Sequence, residues 1–370
     1  MRLYNNYPIP SDRMGALYAL GGIEDAYIIE FGPAGTTHFA IEGFMQIDAP
    51  MHNNTYTTHI DETDITFGDE SRLVNAIKEI DKNKSPKYIF ILGSTITSII
   101  GIDLLSITSL IQSEINAILI PVPNCDFESN YLKGYKDILS IISKKIVKPN
   151  LYKTNSFNIL GLFINDYNYK SEIEEIKRLM KIYFDFELNS VFLADSDISS
   201  LENSGCASIN IVLKSEALEA AKHLDLNNNQ PFISVYPLGI NKTELFLNSI
   251  SKLINKEYDK DLFNKEKKAF IDASTDFKNL IKNKSNNVQL NLSNSEIENH
   301  YKDFLSELGL KIDNSANSIL HLGNDFSNKD NLPYFQISHP SYKKINRYPF
   351  TPYLGTRGAL YLTQQLYNLI

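Results

Sequence analysis

The chain has 370 residues, with 44 acidic against 36 basic side chains and a formal net charge of −8 whose signs are interspersed, which argues against a nucleic-acid partner. No apolar run approaches the roughly 20 residues that span a bilayer, and the opening MRLYNNYPIPSDR carries no apolar secretory core. Cys125 and Cys206 have no CxxC spacing, so no disulfide framework is expected and the chain reads as cytoplasmic, with no membrane association.

At this length two or three compact units are expected, and 43% apolar residues supply their cores. Along the chain, short β-branched or aromatic runs alternate with stretches of helical period. Expected strands are AYIIEF (26–31), KYIFILG (87–93), NAILIPV (116–122), FNILGLFI (157–164), SVFLAD (190–195), SINIVL (208–213), FISVYP (232–237), NVQLNL (287–292) and SILHLG (318–323). Expected helices cover 70–80, 172–183, 216–224, 242–254 and 295–308. Polar, weakly periodic KPNLYKTNS (148–156) and INKEYDKDLFN (254–264) are the expected linkers. Most strands are near-continuous apolar runs, as where helices cover both faces of a sheet. The expected fold class is therefore α/β: three doubly wound, Rossmann-like domains with mostly parallel sheets. Their expected spans are 1–150, carrying the GPAGT and IGID turns, then 151–255, then 256–370 with a C-terminal helix. No internal repeat is visible in the residues themselves.

Ligands of open α/β sheets sit beyond the carboxyl ends of strands, which singles out the turns GPAGTTH, GSTITS, DSDISS and LGINKT. Their glycines and hydroxyls either offer N–H groups to an anion or cap the following helices. Gly32 and Gly35 are expected to adopt φ values that a β-carbon opposes and to bring backbone close to a cofactor. His38, His52 and His59 share one region, yet spacings of fourteen and seven residues place them on no common helical face. Asp61, Glu62 and Asp64 read as a solvated charged face. Neither a G-x-S-x-G elbow nor a Walker A sequence occurs, so no P-loop binds ATP here.

Several segments, in order, resemble one family. SDRMGALYALGGI (11–23) is similar to a stretch of cysteine, three residues, Gly-Ala and a later Gly-Ile; GPAGT is similar to His-Gly-Pro-x-Gly-Cys, with Phe31 at the histidine. HIDETDITFGDESRL (59–73), STITSIIGID (94–103), PFISVYPLGINKTELFL (231–247) and PYLGTRGALYL (352–362) continue the likeness. The family is that of nitrogenase component 1, which also holds the dark-operative protochlorophyllide and chlorin reductases, cofactor-assembly scaffolds and the nickel-sirohydrochlorin reductive cyclase.

The resemblance places Ser11, Thr36 and Thr95 at the three positions of cluster cysteines, so Ser11, Gly32, Gly35, Thr36 and Thr95 are the expected cofactor-pocket residues. Hydroxyl oxygens are hard, poor ligands for an iron–sulfide core. In the protochlorophyllide reductase one subunit gives three cysteines and the other an aspartate, and Thr36 stands where that aspartate would be. The molybdenum-cofactor ligands align with Lys214 and Leu354, neither a plausible ligand, so nitrogen fixation is not expected. The resemblance implies a reductase subunit that binds no cofactor alone. A 4Fe-4S cluster would come from a related partner chain in a homodimer or heterodimer, and ATP would be used only on a separate iron-protein reductase. The substrate would be a small molecule or a tetrapyrrole, with His38, two residues past Thr36, as proton donor. The alternative is a cluster-free scaffold or small-molecule binder of the same descent. His339, before a proline, is expected to be structural.

Overall fold

The computed structural model describes residues 10–46, 54–122, 130–282, 284–314, 318–324, 327–328, 332–339 and 349–370; His52 and Cys125 lie outside them. The first apolar runs form β1 (Tyr27–Phe31), β2 (Thr55–Thr57), β3 (Tyr88–Gly93) and β4 (Ile118–Pro121), a four-stranded sheet ordered β2-β1-β3-β4 with every pair parallel. Ile29, Ile89, Phe90 and Ile91 are wholly shielded from solvent, as a sheet covered on both faces requires. Its helices are α1 (Asp12–Gly21), α2 (Ala34–Gln46), α3 (Glu62–Phe67), α4 (Ser71–Lys84), α5 (Thr95–Ile99), α6 (Leu104–Ile111) and α7 (Tyr131–Ile141). Leu73 and Ile77 of α4, with Leu104, Ile107 and Ile111 of α6, pack into the core around β1 and β3.

Helices α1 and α7 meet backbone to backbone. A Cβ on Gly15 would stand 2.0 Å from the Tyr131 carbonyl oxygen, and one on Gly134 would stand 2.0 Å from that of Asp12. All ten residues of α1 are buried, so it has no polar face and its sequence shows no helical period.

The second sheet, ordered β6-β5-β7-β8, contains β5 (Thr154–Leu160), β6 (Glu187–Val191), β7 (Ala207–Val212) and β8 (Phe232–Ser234). Along this stretch run α8 (Tyr169–Phe184), α9 (Ile198–Asn203), α10 (Leu218–Asn228) and α11 (Ile240–Ile254). After α12 (Lys260–Ile281) come β9 (Asn287–Leu290), α13 (Ser295–Glu307), β10 (Lys311–Ile312), β11 (Leu320–Gly323), β12 (Tyr334–Gln336) and α14 (Gly355–Leu369). The third sheet is ordered β10-β9-β11-β12, all parallel. Each sheet thus repeats one wiring: the second strand lies on one side of the first, and the third and fourth on the other. The reversal between first and third strands is the switch point at which doubly wound sheets hold ligands.

One compact unit comprises Ile9–Lys148 with Val191–Ser204, and the other includes Pro149–Ser190 with Gly205–Ile370. In the first, the returning segment is clasped by Glu202. Its carboxylate accepts hydrogen bonds from Lys87 and Lys148 Nζ at 2.6 and 2.9 Å and from the Tyr88 hydroxyl at 2.8 Å.

Several expectations need correction. The linker expected at 148–156 ends in a strand, because β5 runs Thr154–Leu160 rather than 157–164. Residues 254–264 are not a linker throughout, because α12 starts at Lys260, where Asp259 caps it by accepting the Leu262 N–H at 2.9 Å. The strand expected at 190–195 lies at 187–191 instead, since Leu193 and Asp195 take φ of 67° and 51° and bend the chain. The strand expected at 232–237 is only three residues long.

Candidate functional site

The turns after β1 and β3 lie side by side at the first sheet's switch point. Ser94 N–H donates to the Phe31 carbonyl at 3.0 Å, and the Thr97 hydroxyl donates to the same oxygen at 3.2 Å. The Gly32 N–H donates to Thr58 Oγ1 at 3.1 Å, while its carbonyl accepts from Thr57 Oγ1 and the Ile60 N–H, both at 3.2 Å. Gly32 is needed for close approach rather than for a left-handed φ: a Cβ there would stand 2.5 Å from Ser94 Cβ. The φ expected for Gly35 is not adopted. It sits in the first turn of α2 without a positive φ, is exposed, and a Cβ on it would meet nothing within 4 Å.

The hydroxyls at the three cluster positions are placed by helix starts. Ser11 is the N-cap of α1, accepting the Met14 N–H at 3.4 Å. Thr36, in α2, donates its hydroxyl to the Pro33 carbonyl at 2.8 Å. Thr95 opens α5 exposed, next to its N-cap Ser94. The elements carrying all three belong to one unit, and Gly32 joins two of them, since a Cβ there would reach both Ser94 and Thr36 Oγ1, the latter at 3.2 Å. Hard hydroxyl oxygens, two of them already engaged in a cap and a turn contact, do not fit an iron–sulfur cluster.

Beneath the turn lies a buried ion pair that the sequence alone did not bring out. Arg13 Nη1 donates to Glu30 Oε1 at 2.6 Å, the Thr37 hydroxyl donates to Glu30 Oε2 at 2.8 Å, and Arg13 Nη2 donates to the Thr36 carbonyl at 3.3 Å. Arg13, Glu30 and Thr37 are 7, 0 and 4% exposed, so the network is dry and ties α1 to both ends of the turn. A signal was present: one acid within AYIIEF and one base in a helix that carries no other charge after Asp12.

His38 projects from α2 with 73% of its side chain exposed and Nε2 3.2 Å from Glu42 Oε1. The carboxylates at 61–64 form a capping box on α3, in which Asp61 accepts the Asp64 N–H and Asp64 accepts the Asp61 N–H; Arg72 bonds both. In the other turns Asp197 and Ser200 form a capping box on α9, whereas the Thr243 hydroxyl donates to the Gly239 carbonyl one turn back and leaves α11 without a side-chain cap. Among the described residues no group of three or more His, Cys, Asp or Glu is arranged to hold a metal ion. Large apolar side chains stand exposed on the site's own elements: Phe39 on α2, Ile99 and Ile100 at the end of α5, and Leu105 on α6, 55, 69, 39 and 63% exposed.

Three parallel, identically wired sheets, each with its switch point, define a doubly wound α/β protein. The model of the family described as Nitrogenase component 1 type Oxidoreductase matches residues 11–315, and the chain belongs to that family. It is 28% identical over 247 residues to the nitrogenase iron-molybdenum cofactor biosynthesis protein NifE of Clostridium pasteurianum, covering 66% of this chain and 53% of that protein. It is 26% identical over 276 residues to a subunit of the light-independent protochlorophyllide reductase of Chlorokybus atmophyticus, covering 71% and 53%. The chain therefore spans about half the length of the curated relatives it matches. In fold it is similar to a solved structure of nitrogenase Cp1 at pH 6.5, with a TM-score of 0.80 at 18% identity over 100% of this chain and 94% of the other.

Proposed function

We propose that this chain is a subunit of a nitrogenase-like two-component reductase. It pairs with itself or with a related chain that bears the 4Fe-4S cluster, and an ATP-hydrolysing iron protein delivers electrons to reduce a small molecule or tetrapyrrole-type substrate, not dinitrogen. The observation that carries the reading is the incomplete site: hydroxyls at Ser11, Thr36 and Thr95, with Phe39 on α2, Ile99 and Ile100 at the end of α5 and Leu105 on the following α6 facing solvent. Apolar side chains gathered on functional turns favour a second protein surface over water. In this reading Gly32 and Gly35 shape the shared pocket, and exposed His38 supplies a proton across the interface.

A second reading is a cluster-free scaffold that binds a cofactor or small molecule without turnover. It is favoured by the likeness to a relative named for cofactor biosynthesis and by the engaged Thr36 hydroxyl. Reconstitution without oxygen, with a cysteine-bearing related chain and an iron protein, separates the two. The subunit reading expects a dimer or heteromer in light scattering, ATP-dependent reduction, and a His38→Ala variant slowed by roughly 10²-fold. A micromolar monomer with no ATP-dependent reduction, whose His38→Ala form keeps its ligand, would establish the scaffold.

A further inference from the structure

A cleft of about 370 Å³ lies at the outer edge of the second sheet, between α8, the edge strand β6 and the chain that leads into α14. Its volume is at the small end of the roughly 300–1,000 Å³ typical of small-molecule sites. The switch point of this sheet lies between β5 and β7, so the cleft is separate from it. All of the lining belongs to the unit that includes Pro149–Ser190 and Gly205–Ile370.

The base of the cleft is held by a cation that is already spoken for. Arg178 Nε and Nη2 donate to the two oxygens of Glu175 at 2.8 and 2.7 Å, Nη1 donates to Glu266 Oε1 at 2.7 Å, and Nη2 reaches the Thr356 hydroxyl at 2.8 Å. Gly355, at a φ of 73°, leaves room for this arrangement, because a Cβ there would stand 2.3 Å from Glu175 Oε1. Phe186, Leu188, Phe350 and Pro352 supply the apolar part of the lining. Phe350 is 69% exposed, which leaves a large aromatic face in water beside the cleft.

The charges of the lining do not cancel. Glu175 is held by Arg178, Glu174 lies 2.7 Å from Lys177, and Glu187 lies 2.6 Å from Lys181. Arg357, exposed in the first turn of α14, forms no side-chain hydrogen bond or ion pair among the described residues. Glu175 feels its charge but is already bound. A free guanidinium fork binds a carboxylate through two parallel hydrogen bonds and stacks on aromatic faces. The exposed acids Glu174 and Glu187 disfavour a multiply charged anion. A single carboxylate on an apolar body satisfies both parts of the lining.

We propose that this cleft binds a small organic monocarboxylate, with the carboxylate on Arg357 and the apolar body against Phe350 and Leu188. The site needs no partner chain, cluster or electron donor, so the isolated chain tests it apart from the subunit reading.

The test is calorimetric titration of the full chain with sodium benzoate at constant ionic strength. Benzamide supplies the same body without the charge, and sodium acetate the charge without the body. One saturable site is expected for benzoate, with both controls about tenfold weaker or more. Arg357→Gln is expected to weaken benzoate by about tenfold or more and to leave benzamide unchanged, whereas Phe350→Ala is expected to weaken both aromatic ligands. Both positions are exposed, so the circular dichroism spectrum should not change. Absence of saturable benzoate binding, benzamide or acetate binding as tightly as benzoate, or wild-type benzoate affinity in a folded Arg357→Gln would overturn the proposal. Should that variant misfold, wild-type benzoate affinity in Phe350→Ala would do the same.

Discussion

Gly32 and Gly35 differ in what a methyl group would meet. At Gly32 it would press on Ser94, itself fully buried, so Gly32→Ala is expected to destabilise by about 1–3 kcal/mol through overpacking. At Gly35 it would meet open space on an exposed helix position, so Gly35→Ala is expected to stabilise by roughly 0.5–1 kcal/mol. Urea titrations of the two variants check the pair, and equal effects would contradict the packing of the strand ends. The ion pair under the turn gives a second contrast. Arg13→Met alone strands Glu30 in a dry site and is expected to cost about 3–5 kcal/mol, whereas Arg13→Met with Glu30→Met is expected to be close to neutral. Thermal unfolding of the double-mutant cycle reads this directly. At this scale the spelling GPAGT located the turn, but its conformation depended on Ser94, some sixty residues away, and on Thr57 and Thr58 at the end of β2. Such long-range contacts leave no local trace.

Helix α14 shows how one element can be held by another. Its N-cap, Leu354, has no capping side chain of its own. The N–H groups leading into the helix are taken instead by Glu172 of α8, which accepts Tyr353 N–H at 2.9 Å and the N-cap Leu354 N–H at 2.8 Å, with Asn168 Nδ2 at 3.1 Å. Burial outweighs these donors and pushes the Glu172 carboxyl up to about 8. With the folded value raised and the unfolded value near 4.5, the native state holds this proton more tightly. Its contribution is complete below about pH 4.5 and is lost as pH rises through 8, on the order of a few kcal/mol. Urea midpoints at acid and alkaline ends of that window should fall with pH, and Glu172→Gln should flatten the trend. Elements with a clear period, such as α4, α8, α11 and α13, were legible in the sequence. Fully buried α1 and two- or three-residue strands such as β2 and β10 were not, because period and length are the signals they lack.

Across the whole molecule, one wiring recurs in three sheets although no residue repeat survives, so α/β alternation was readable from the chain while the reuse of one topology was not. Nor did the linear spelling reveal that the first unit is discontinuous. Glu202, on the returning segment, is the point at which that discontinuity can be measured. Burial pushes its carboxyl up, but hydrogen bonds from Lys87, Lys148 and Tyr88 outweigh it and lower the group to about 2. With the folded value below the unfolded one near 4.5, the clasp stabilises above about pH 4.5 and is lost as pH falls toward 2. Glu202→Gln is expected to destabilise by about 1–3 kcal/mol at neutral pH. Hydrogen exchange should show the loss in β3 and α9, and an effect confined to α9 would contradict a clasp.

The pairing of α1 with α7, and the later return of 191–204, also set a timetable for synthesis. Helix α1 leaves the ribosome early with Met14, Leu17, Tyr18 and Leu20 destined for burial, yet its partner α7 follows about a hundred residues later and the clasping segment later still. At about 5–20 residues per second, some ten to thirty seconds separate the emergence of α1 from that of the segment that completes its unit. Until α7 emerges the nascent chain carries an unpaired apolar helix, which makes it a client for holdase chaperones.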